Sequence, residues 1–187
     1  MHIKEAISKG TFVLDGGMGT AVQSIDTDID RDYLGRENCT DILSKSRPEL
    51  VEQIHAPFLE VGVDAVKTNT FGANRLVLSE FDDEAATWAY ELNVTSAQIA
   101  RKACEQFAGD RYVLGSMGPG TKLISLGQTT WDQMFASYEE QARGLIEGGV
   151  DAFLIETCQD ILQVKCAINA CLHALQASGK SVDEIPI

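Results

Sequence analysis

The chain has 187 residues, 44% of them hydrophobic, so it is long and apolar enough to bury a core, and the composition excludes a disordered chain. A formal charge of -13 opposes binding to nucleic acid or to an anionic membrane. No apolar run reaches the roughly 20 residues of a membrane span. Without a signal segment or a CxxC pair among the five cysteines, we expect a cytoplasmic protein with free thiols.

Short β-rich runs alternate with helical patterns along the chain. The predicted strands are residues 12–14, 65–67, 112–114, 152–155 and 185–187. Between them, Ser46 and Glu49 have capping-box spacing and predict a helix over residues 48–60. A long helical stretch follows over residues 82–107. Thr130 and Gln133 form a second predicted capping box, and glycines at 148 and 149 end that helix.

An internal repeat is the most informative pattern. Residues 60–70 read EVGVDAVKTNT and residues 147–157 read EGGVDAFLIET, and both predict a helix end, a glycine and a strand. A repeated αβ unit indicates a parallel sheet covered by helices. The two candidate architectures are a closed (βα)8 barrel and an open doubly wound sheet.

Polar residues collect at the carboxyl ends of four predicted strands, at Asp15, residues 68–70, Ser116 and residues 156–157. A ring of polar strand ends is typical of a barrel mouth, whereas a switch-point crevice uses mainly two loops. A full (βα)8 barrel has about 250 residues. We therefore predict an α/β fold, with residues 1–187 forming the first half of a TIM-type barrel domain, truncated at the start of the fifth strand.

The glycine-rich segment DGGMGT at residues 15–20 follows the first predicted strand. It lacks the third glycine of a dinucleotide fingerprint and the Gly-Lys-Ser/Thr of a phosphate loop. A tight turn packed under the barrel is one interpretation. A ligand-binding loop is the other, because Asp15 lies where the strand ends and a pocket should begin.

Glu156 follows an apolar strand, where a carboxylate must be paired, hydrated or protonated. A salt bridge to a neighbouring loop is one possibility. Because the repeat has Asn69 at the equivalent place, the scaffold does not require a charge there, and a ligand amino group is the other possibility. Lys122, in the turn after the third strand, is expected on the surface. The histidines, His2, His55 and His173, have no metal-ligand spacing.

Five segments together resemble the homocysteine S-methyltransferase family, and within it the homocysteine-binding module of cobalamin-dependent methionine synthases. In chain order they are LDGGMGT (14–20), RPE (47–49), TNTFGAN (68–74), GSMGPGTK (115–122) and ETCQD (156–160). The resemblance implies a (βα)8 barrel that binds homocysteine. Asp15 and Gly16 match the family's first-loop substrate contacts, and Glu156 matches the carboxylate that holds the substrate amino group. Asn69 and Ser116 are secondary substrate-binding candidates.

The resemblance also implies zinc, which holds the homocysteine sulfur as a thiolate for attack on an activated methyl group. The family's three cysteine ligands match no position here and are expected after Ile187. We therefore assign no catalytic or metal-binding residue to this chain, and expect it to be inactive alone. Cobalamin and methyltetrahydrofolate are expected to bind other modules of the full protein.

Two alternative functions share the same fold. A homocysteine methyltransferase using betaine or S-methylmethionine would lack folate- and cobalamin-binding modules after the barrel. A non-catalytic amino-acid-binding barrel would lack the adjacent cysteine pair of the zinc site.

Overall fold

The computed structural model describes residues 1–187, which form an α/β fold around a parallel sheet. The strands are β1 (Ala65–Lys67), β2 (Tyr112–Met117) and β3 (Ala152–Ile155). The helices are α1 (Ile3–Ser8), α2 (Met18–Gln23), α3 (Leu43–Ser46), α4 (Pro48–Glu60), α5 (Arg75–Leu78), α6 (Asp83–Thr87), α7 (Ala89–Glu105), α8 (Trp131–Gly148) and α9 (Ile161–Ala177), with a 3-10 turn at Thr40–Ile42. None of the helices combines the length and apolarity of a membrane span.

The three strands lie in chain order, and both neighbouring pairs are parallel. Two more segments extend this order. Leu14 forms a single parallel bridge with Ala65, and Pro186 O accepts a hydrogen bond from Phe153 N at 2.8 Å. The first and fifth predicted runs thus lie beside the expected neighbours, although neither forms a regular strand. The order contains no reversal, whereas a doubly wound sheet reverses direction at its switch point.

Each copy of the internal repeat uses an aspartate to attach its strand to the preceding strand. Asp64 N donates to Val13 O at 2.8 Å, and its Oδ2 accepts from Val13 N at 2.7 Å. Asp151 makes the same two contacts with Val113, at 2.8 and 2.7 Å. The shared Gly-Val-Asp-Ala sequence therefore encodes a repeated backbone clamp that sets the strand order.

The predicted helix over residues 48–60 forms as α4, but its predicted capping box is wrong. Ser46 is the last residue of α3, and its hydroxyl donates to Asp32 O, so it does not cap α4. Asp32 is fully buried and paired with Arg31 and Arg47. The stretch predicted as one long helix over residues 82–107 is divided into α6 and α7 at Trp88.

The capping box predicted for α8 is confirmed. Thr130 Oγ1 accepts from Gln133 N at 3.2 Å, and Gln133 Oε1 accepts from Thr130 N at 3.2 Å. Gly149 ends the helix in the left-handed conformation, with φ +87°, and Gly62 follows α4 with φ +92°. Both copies therefore turn from helix to strand at a glycine, which adopts this conformation without a Cβ clash.

The two faces of the sheet are covered differently, because side chains alternate along each strand. Val66, Val113 and Phe153 belong to the main core with residues of α7, α8 and α9. On the other face, Ala65 and Leu114 belong to a smaller cluster with α1. Lys67, Ser116 and Glu156 follow the alternation of this second face, which brings three polar side chains to the carboxyl ends of β1, β2 and β3.

Candidate functional site

A cavity of about 280 Å³ lies at the carboxyl end of the sheet. It is lined by every residue for which the sequence predicted substrate binding, namely Asp15, Gly16, Asn69, Ser116 and Glu156. The structure therefore brings together residues that are up to 141 positions apart in the chain. The cavity also contains one charged residue that was not predicted, Lys67.

Asp15 occupies one wall of this cavity. Its Oδ2 accepts a hydrogen bond from Lys67 N at 3.0 Å, whereas its Oδ1 is buried and has no hydrogen-bond donor in the protein. Burial raises the pKa of Asp15 to about 6; the Lys67 backbone N–H and ammonium oppose this shift, and the Glu156 charge adds to it. Because an unpaired buried acceptor is unfavourable, Oδ1 is a place where a ligand donor gains free energy.

Glu156 lies at the end of β3 with its two carboxylate oxygens in different environments. Oε1 accepts a hydrogen bond from Ser116 Oγ at 2.6 Å. Oε2 lies 3.6 Å from Lys67 Nζ, and 23% of the Glu156 side chain is exposed. Ser116 therefore fixes one oxygen, and the other remains available to a ligand in the cavity.

A buried hydrogen-bond network fixes Ser116 in turn. Ser116 N donates to Thr68 Oγ1 at 3.0 Å, and Thr70 Oγ1 donates to Ser116 O at 2.7 Å. Gln141 Nε2, from α8, donates to Thr70 O at 2.8 Å. The ends of β1 and β2 are thus attached to each other and to α8. This network preorganises Ser116, and through it the Glu156 carboxylate.

Asn69 has a different role from Glu156 although it occupies the equivalent place in the repeat. Its Nδ2 donates to Thr40 O at 2.8 Å and to Ser44 Oγ at 3.3 Å, and its backbone N donates to Ser96 Oγ at 2.7 Å. The Asn69 amide nitrogen therefore anchors a neighbouring segment, while the residue contributes to the cavity wall.

Gly16 lies where a side chain would meet α4. A Cβ at this position would be 3.0 Å from Phe58 Cε1, which is closer than ordinary van der Waals contact. The glycine therefore allows the loop after Leu14 to pack on the Phe58 ring while its backbone lines the cavity. A packed turn was one of the two interpretations of this segment, and the other, a ligand-binding loop, stays a prediction.

Lys67 is the residue that the sequence analysis missed. It ends a strand that is otherwise apolar, and the equivalent residue of the second copy is Leu154. A charge in place of an apolar residue was the available signal. Lys122, expected on the surface, lies 3.8 Å from Glu80 in an ion pair and does not line the cavity.

The residue after Glu156 has a strained backbone. Thr157 has φ +63°, a left-handed conformation that β-branched residues rarely adopt. Contacts on both sides hold it. Glu156 N donates to Met117 O at 3.1 Å, and Asp160 accepts hydrogen bonds from Ser125 N and Leu162 N at 3.0 and 2.9 Å. The strain therefore lies next to the carboxylate that faces the cavity.

The cysteines of this chain do not fit a zinc site. Burial raises the pKa of all five thiols, namely Cys39, Cys104, Cys158, Cys166 and Cys171. A zinc ligand must be a thiolate, which a lowered pKa favours. No three histidine, cysteine, aspartate or glutamate side chains converge as metal ligands. Cys166 and Cys171, on α9, are fully buried in the core.

A larger groove of about 420 Å³ lies between α7, α8 and α9. Its two carboxylates have partners on the protein surface: Tyr90 donates to Glu147 at 2.5 Å, and His173 lies 3.0 Å from Glu139. The cavity at the carboxyl end is smaller, but it contains the buried acceptor of Asp15 and the available oxygen of Glu156. We therefore identify it as the candidate site.

The chain belongs to the homocysteine S-methyltransferase family, whose model matches residues 12–185. This match confirms the family indicated by the five sequence segments. Curated relatives include the methionine synthases of Mycobacterium tuberculosis (strain ATCC 25618 / H37Rv) and Mycobacterium leprae (strain TN), which are 41% and 40% identical to the chain over 181 residues. Each alignment covers 95% of this chain but only 15% of the relative.

Solved structures of the homocysteine methyltransferase MmuM from Escherichia coli have a similar fold. The oxidized form matches with a TM-score of 0.70 at 20% identity, over 94% of this chain and 61% of that chain. The metallated form matches with a TM-score of 0.68 at 21% identity, over 96% and 64%. These matches confirm the α/β fold with a parallel sheet.

Proposed function

We propose that this chain forms the part of a methyltransferase that holds the amino group of homocysteine for conversion to methionine. The main supporting observation is that Asp15 Oδ1 and Glu156 Oε2, both without a protein hydrogen-bond donor, line one cavity. Family membership and the methionine synthase relatives support the choice of homocysteine.

In this proposal the substrate ammonium lies between the two carboxylates. Asp15 Oδ1 gains the donor that it lacks, and Glu156 Oε2 gains a second cationic partner. Hydrogen bonds that involve a charged group contribute about 1.5 to 3 kcal/mol each. Ser116 and the network beneath it hold Glu156 in place before the ligand arrives, which reduces the conformational entropy lost on binding.

The ammonium anchor also orients the substrate. Because both carboxylates lie at the strand ends, the thiol of a bound homocysteine extends away from them, towards the open side of the cavity. A free thiol with a pKa near 8.5 is mostly protonated at neutral pH, whereas the thiolate is the nucleophile. The chain's own residues bind and orient the substrate, and the thiol needs activation from elsewhere.

Three finer features belong to the same proposal. The sequential strand order supports a (βα)8 barrel of which these residues form one half. The resemblance assigns zinc to cysteines that this chain does not contain. Cobalamin and methyltetrahydrofolate are assigned to other modules, in keeping with relatives of which the chain covers only 15%.

Substitution of Glu156 tests the proposal. In the full-length protein, Glu156→Gln keeps the side-chain volume and removes the negative charge, so we expect homocysteine to bind about 10- to 100-fold more weakly. Isothermal titration calorimetry measures the dissociation constant.

The matched control is Glu60→Gln, which removes a charge from an exposed residue at the end of α4. We expect this variant to bind homocysteine like the unmodified protein. If Glu156→Gln and Glu60→Gln have the same affinity as the unmodified protein, Glu156 does not hold the amino group and the proposal is wrong.

A further inference from the structure

Lys67 is the only cation that lines the candidate site. Its backbone N donates to Asp15 Oδ2, so the residue is fixed at its base, while its side chain is 21% exposed. The Lys67 ammonium donates no hydrogen bond to a protein acceptor; its nearest anionic partner is Glu156 Oε2, at 3.6 Å. The Lys67 ammonium therefore keeps hydrogen-bond donors that no protein acceptor uses.

Three other lysines of the chain make closer ion pairs, whereas Lys122 lies 3.8 Å from Glu80. Lys4 lies 2.8 Å from Asp183, Lys102 lies 2.8 Å from Glu52, and Lys45 lies 3.0 Å from Glu91. These distances are normal for charge-assisted hydrogen bonds, whereas the distance between Lys67 and Glu156 is longer. Lys67 thus forms a loose ion pair with Glu156, without a direct hydrogen bond.

Three groups of the cavity make no direct hydrogen bond through the atoms concerned, and together they are complementary to a zwitterion. Asp15 Oδ1 and Glu156 Oε2 can accept hydrogen bonds, and Lys67 Nζ can donate them. An α-amino acid carries an ammonium and a carboxylate on one carbon atom. Its ammonium would match the two acceptors, and its carboxylate would match the neighbouring cation.

We propose that Lys67 binds the α-carboxylate of the amino-acid substrate and thereby selects an amino acid over a simple aminothiol. This inference rests on the proposed function, because it uses the ammonium position assigned to Asp15 and Glu156. It adds a specificity-determining contact at the opposite end of the same head group. The site then recognises both charges of homocysteine with side chains from three different strand ends.

The test is a calorimetric titration of the full-length protein with three ligands that differ in the charged groups they carry. They are homocysteine, an aminopropanethiol that lacks the carboxylate, and a sulfanylbutanoate that lacks the ammonium. The test variant is Lys67→Met, which keeps the length of the side chain and removes its charge. Lys67→Arg keeps the charge, and Lys122→Met removes a lysine outside the cavity.

We expect Lys67→Met to weaken the binding of homocysteine and of the sulfanylbutanoate about tenfold, because both carry the carboxylate. Binding of the aminopropanethiol should not weaken, which also shows that the variant is folded. Lys67→Arg should restore most of the affinity for homocysteine, and Lys122→Met should change none of the three affinities.

Two results would overturn the inference. Equal losses for homocysteine and the aminopropanethiol would mean that Lys67 only supports the scaffold. Tighter binding of homocysteine to Lys67→Met would mean that Lys67 competes with the ligand ammonium for Glu156.

Failure of the proposed function gives a different result, because Glu156→Gln would then leave the affinities for homocysteine and the aminopropanethiol unchanged.

Discussion

The two copies of the repeat, residues 60–70 and 147–157, share a scaffold but end in different chemistry. Both place a glycine with positive φ between helix and strand, and both clamp the strand to its predecessor through an aspartate. At the strand ends, Asn69 donates its amide hydrogens to Thr40 O and Ser44 Oγ, whereas Glu156 exposes an oxygen to the cavity. The comparison shows that the αβ unit sets the position of the strand end, while the residue at that end sets which polar groups it presents.

A second difference concerns the next residue. Thr70 is buried, and its hydroxyl donates to Ser116 O at 2.7 Å. Its counterpart Thr157 is exposed and has the left-handed φ of +63°. The first copy therefore ends in a buried hydrogen-bond network, while the second ends in a strained backbone beside the candidate site. Strained backbone conformations are common at functional sites.

The helices of the two copies also differ. Gly148 lies at a close contact between α8 and α7, where a Cβ would be 2.5 Å from Ala97 Cβ and 2.7 Å from Val94 O. Its counterpart Val61 is 81% exposed. In the helices that lead into the copies, α4 buries His55 where α8 buries Ala142 at the equivalent position. These differences provide matched substitutions.

The largest effect is expected from exchanging the residues at the helix ends. Gly148→Val forces side-chain atoms into the α7 backbone, so it should lower the free energy of unfolding by about 3 kcal/mol or more. The reverse exchange, Val61→Gly, removes an exposed side chain and should change that free energy by no more than about 1 kcal/mol. Urea denaturation followed by circular dichroism measures both. Similar losses in the two variants would show that the copies are packed alike.

His55 gives the next largest effect. Burial lowers its pKa to about 4, with the Glu52 charge opposing the shift, and both ring nitrogens lack partners. The folded state therefore keeps the imidazole neutral, while the unfolded state takes up a proton near pH 6.5. His55 thus destabilises the fold as pH falls from about 6.5 to 4, by about 3 kcal/mol in total.

The variant His55→Leu removes this dependence. Its free energy of unfolding, measured by urea denaturation, should exceed that of the unmodified chain increasingly as pH falls through this range. A constant difference between pH 7 and pH 4 would show that His55 is protonated equally in the two states.

Asp15 connects the first copy to the site through Lys67 N, and its substitution should have a smaller effect on stability. The folded-state pKa of about 6 lies above the usual value, so ionisation destabilises the folded state as pH rises through 6. Asp15→Asn should therefore stabilise the fold at pH 7 by about 1 to 2 kcal/mol, allowing for partial exposure.

The gain from Asp15→Asn, measured by thermal unfolding, should disappear below pH 4, where the aspartate is already neutral. The same variant should bind homocysteine more weakly at pH 7. A variant that is both less stable and equally able to bind at pH 7 would contradict this account of Asp15.

The sequence was sufficient for the features that depend on local chemistry and on the repeat. The glycine turns, the Thr130 cap and the polar strand ends follow from residue type and spacing. Two errors arose where tertiary contacts compete with local patterns. Ser46 has the spacing of a cap, but a preceding helical turn directs its hydroxyl to Asp32 O. The helix predicted over residues 82–107 is interrupted at Trp88, whose ring packs beneath Arg36 at 4.6 Å.

The two carboxylates of the site could be predicted from the sequence, but the hydrogen-bond network around Ser116 could not. Asp15 and Glu156 follow strands, so their meeting at one edge was expected of parallel strands. The contacts of Ser116 with Thr68, Thr70 and Gln141 join the segment after β1, strand β2 and helix α8. These contacts are long-range in sequence, so no local pattern predicts them. Lys67 was missed because a lysine at a strand end is usually solvated.

A crystal structure of the full-length protein with homocysteine tests the central claim most directly. We predict that the ligand ammonium lies within hydrogen-bond distance of Asp15 Oδ1 and Glu156 Oε2, with Ser116 Oγ still bonded to Glu156. A homocysteine bound with its amino group in contact with neither carboxylate would contradict the account.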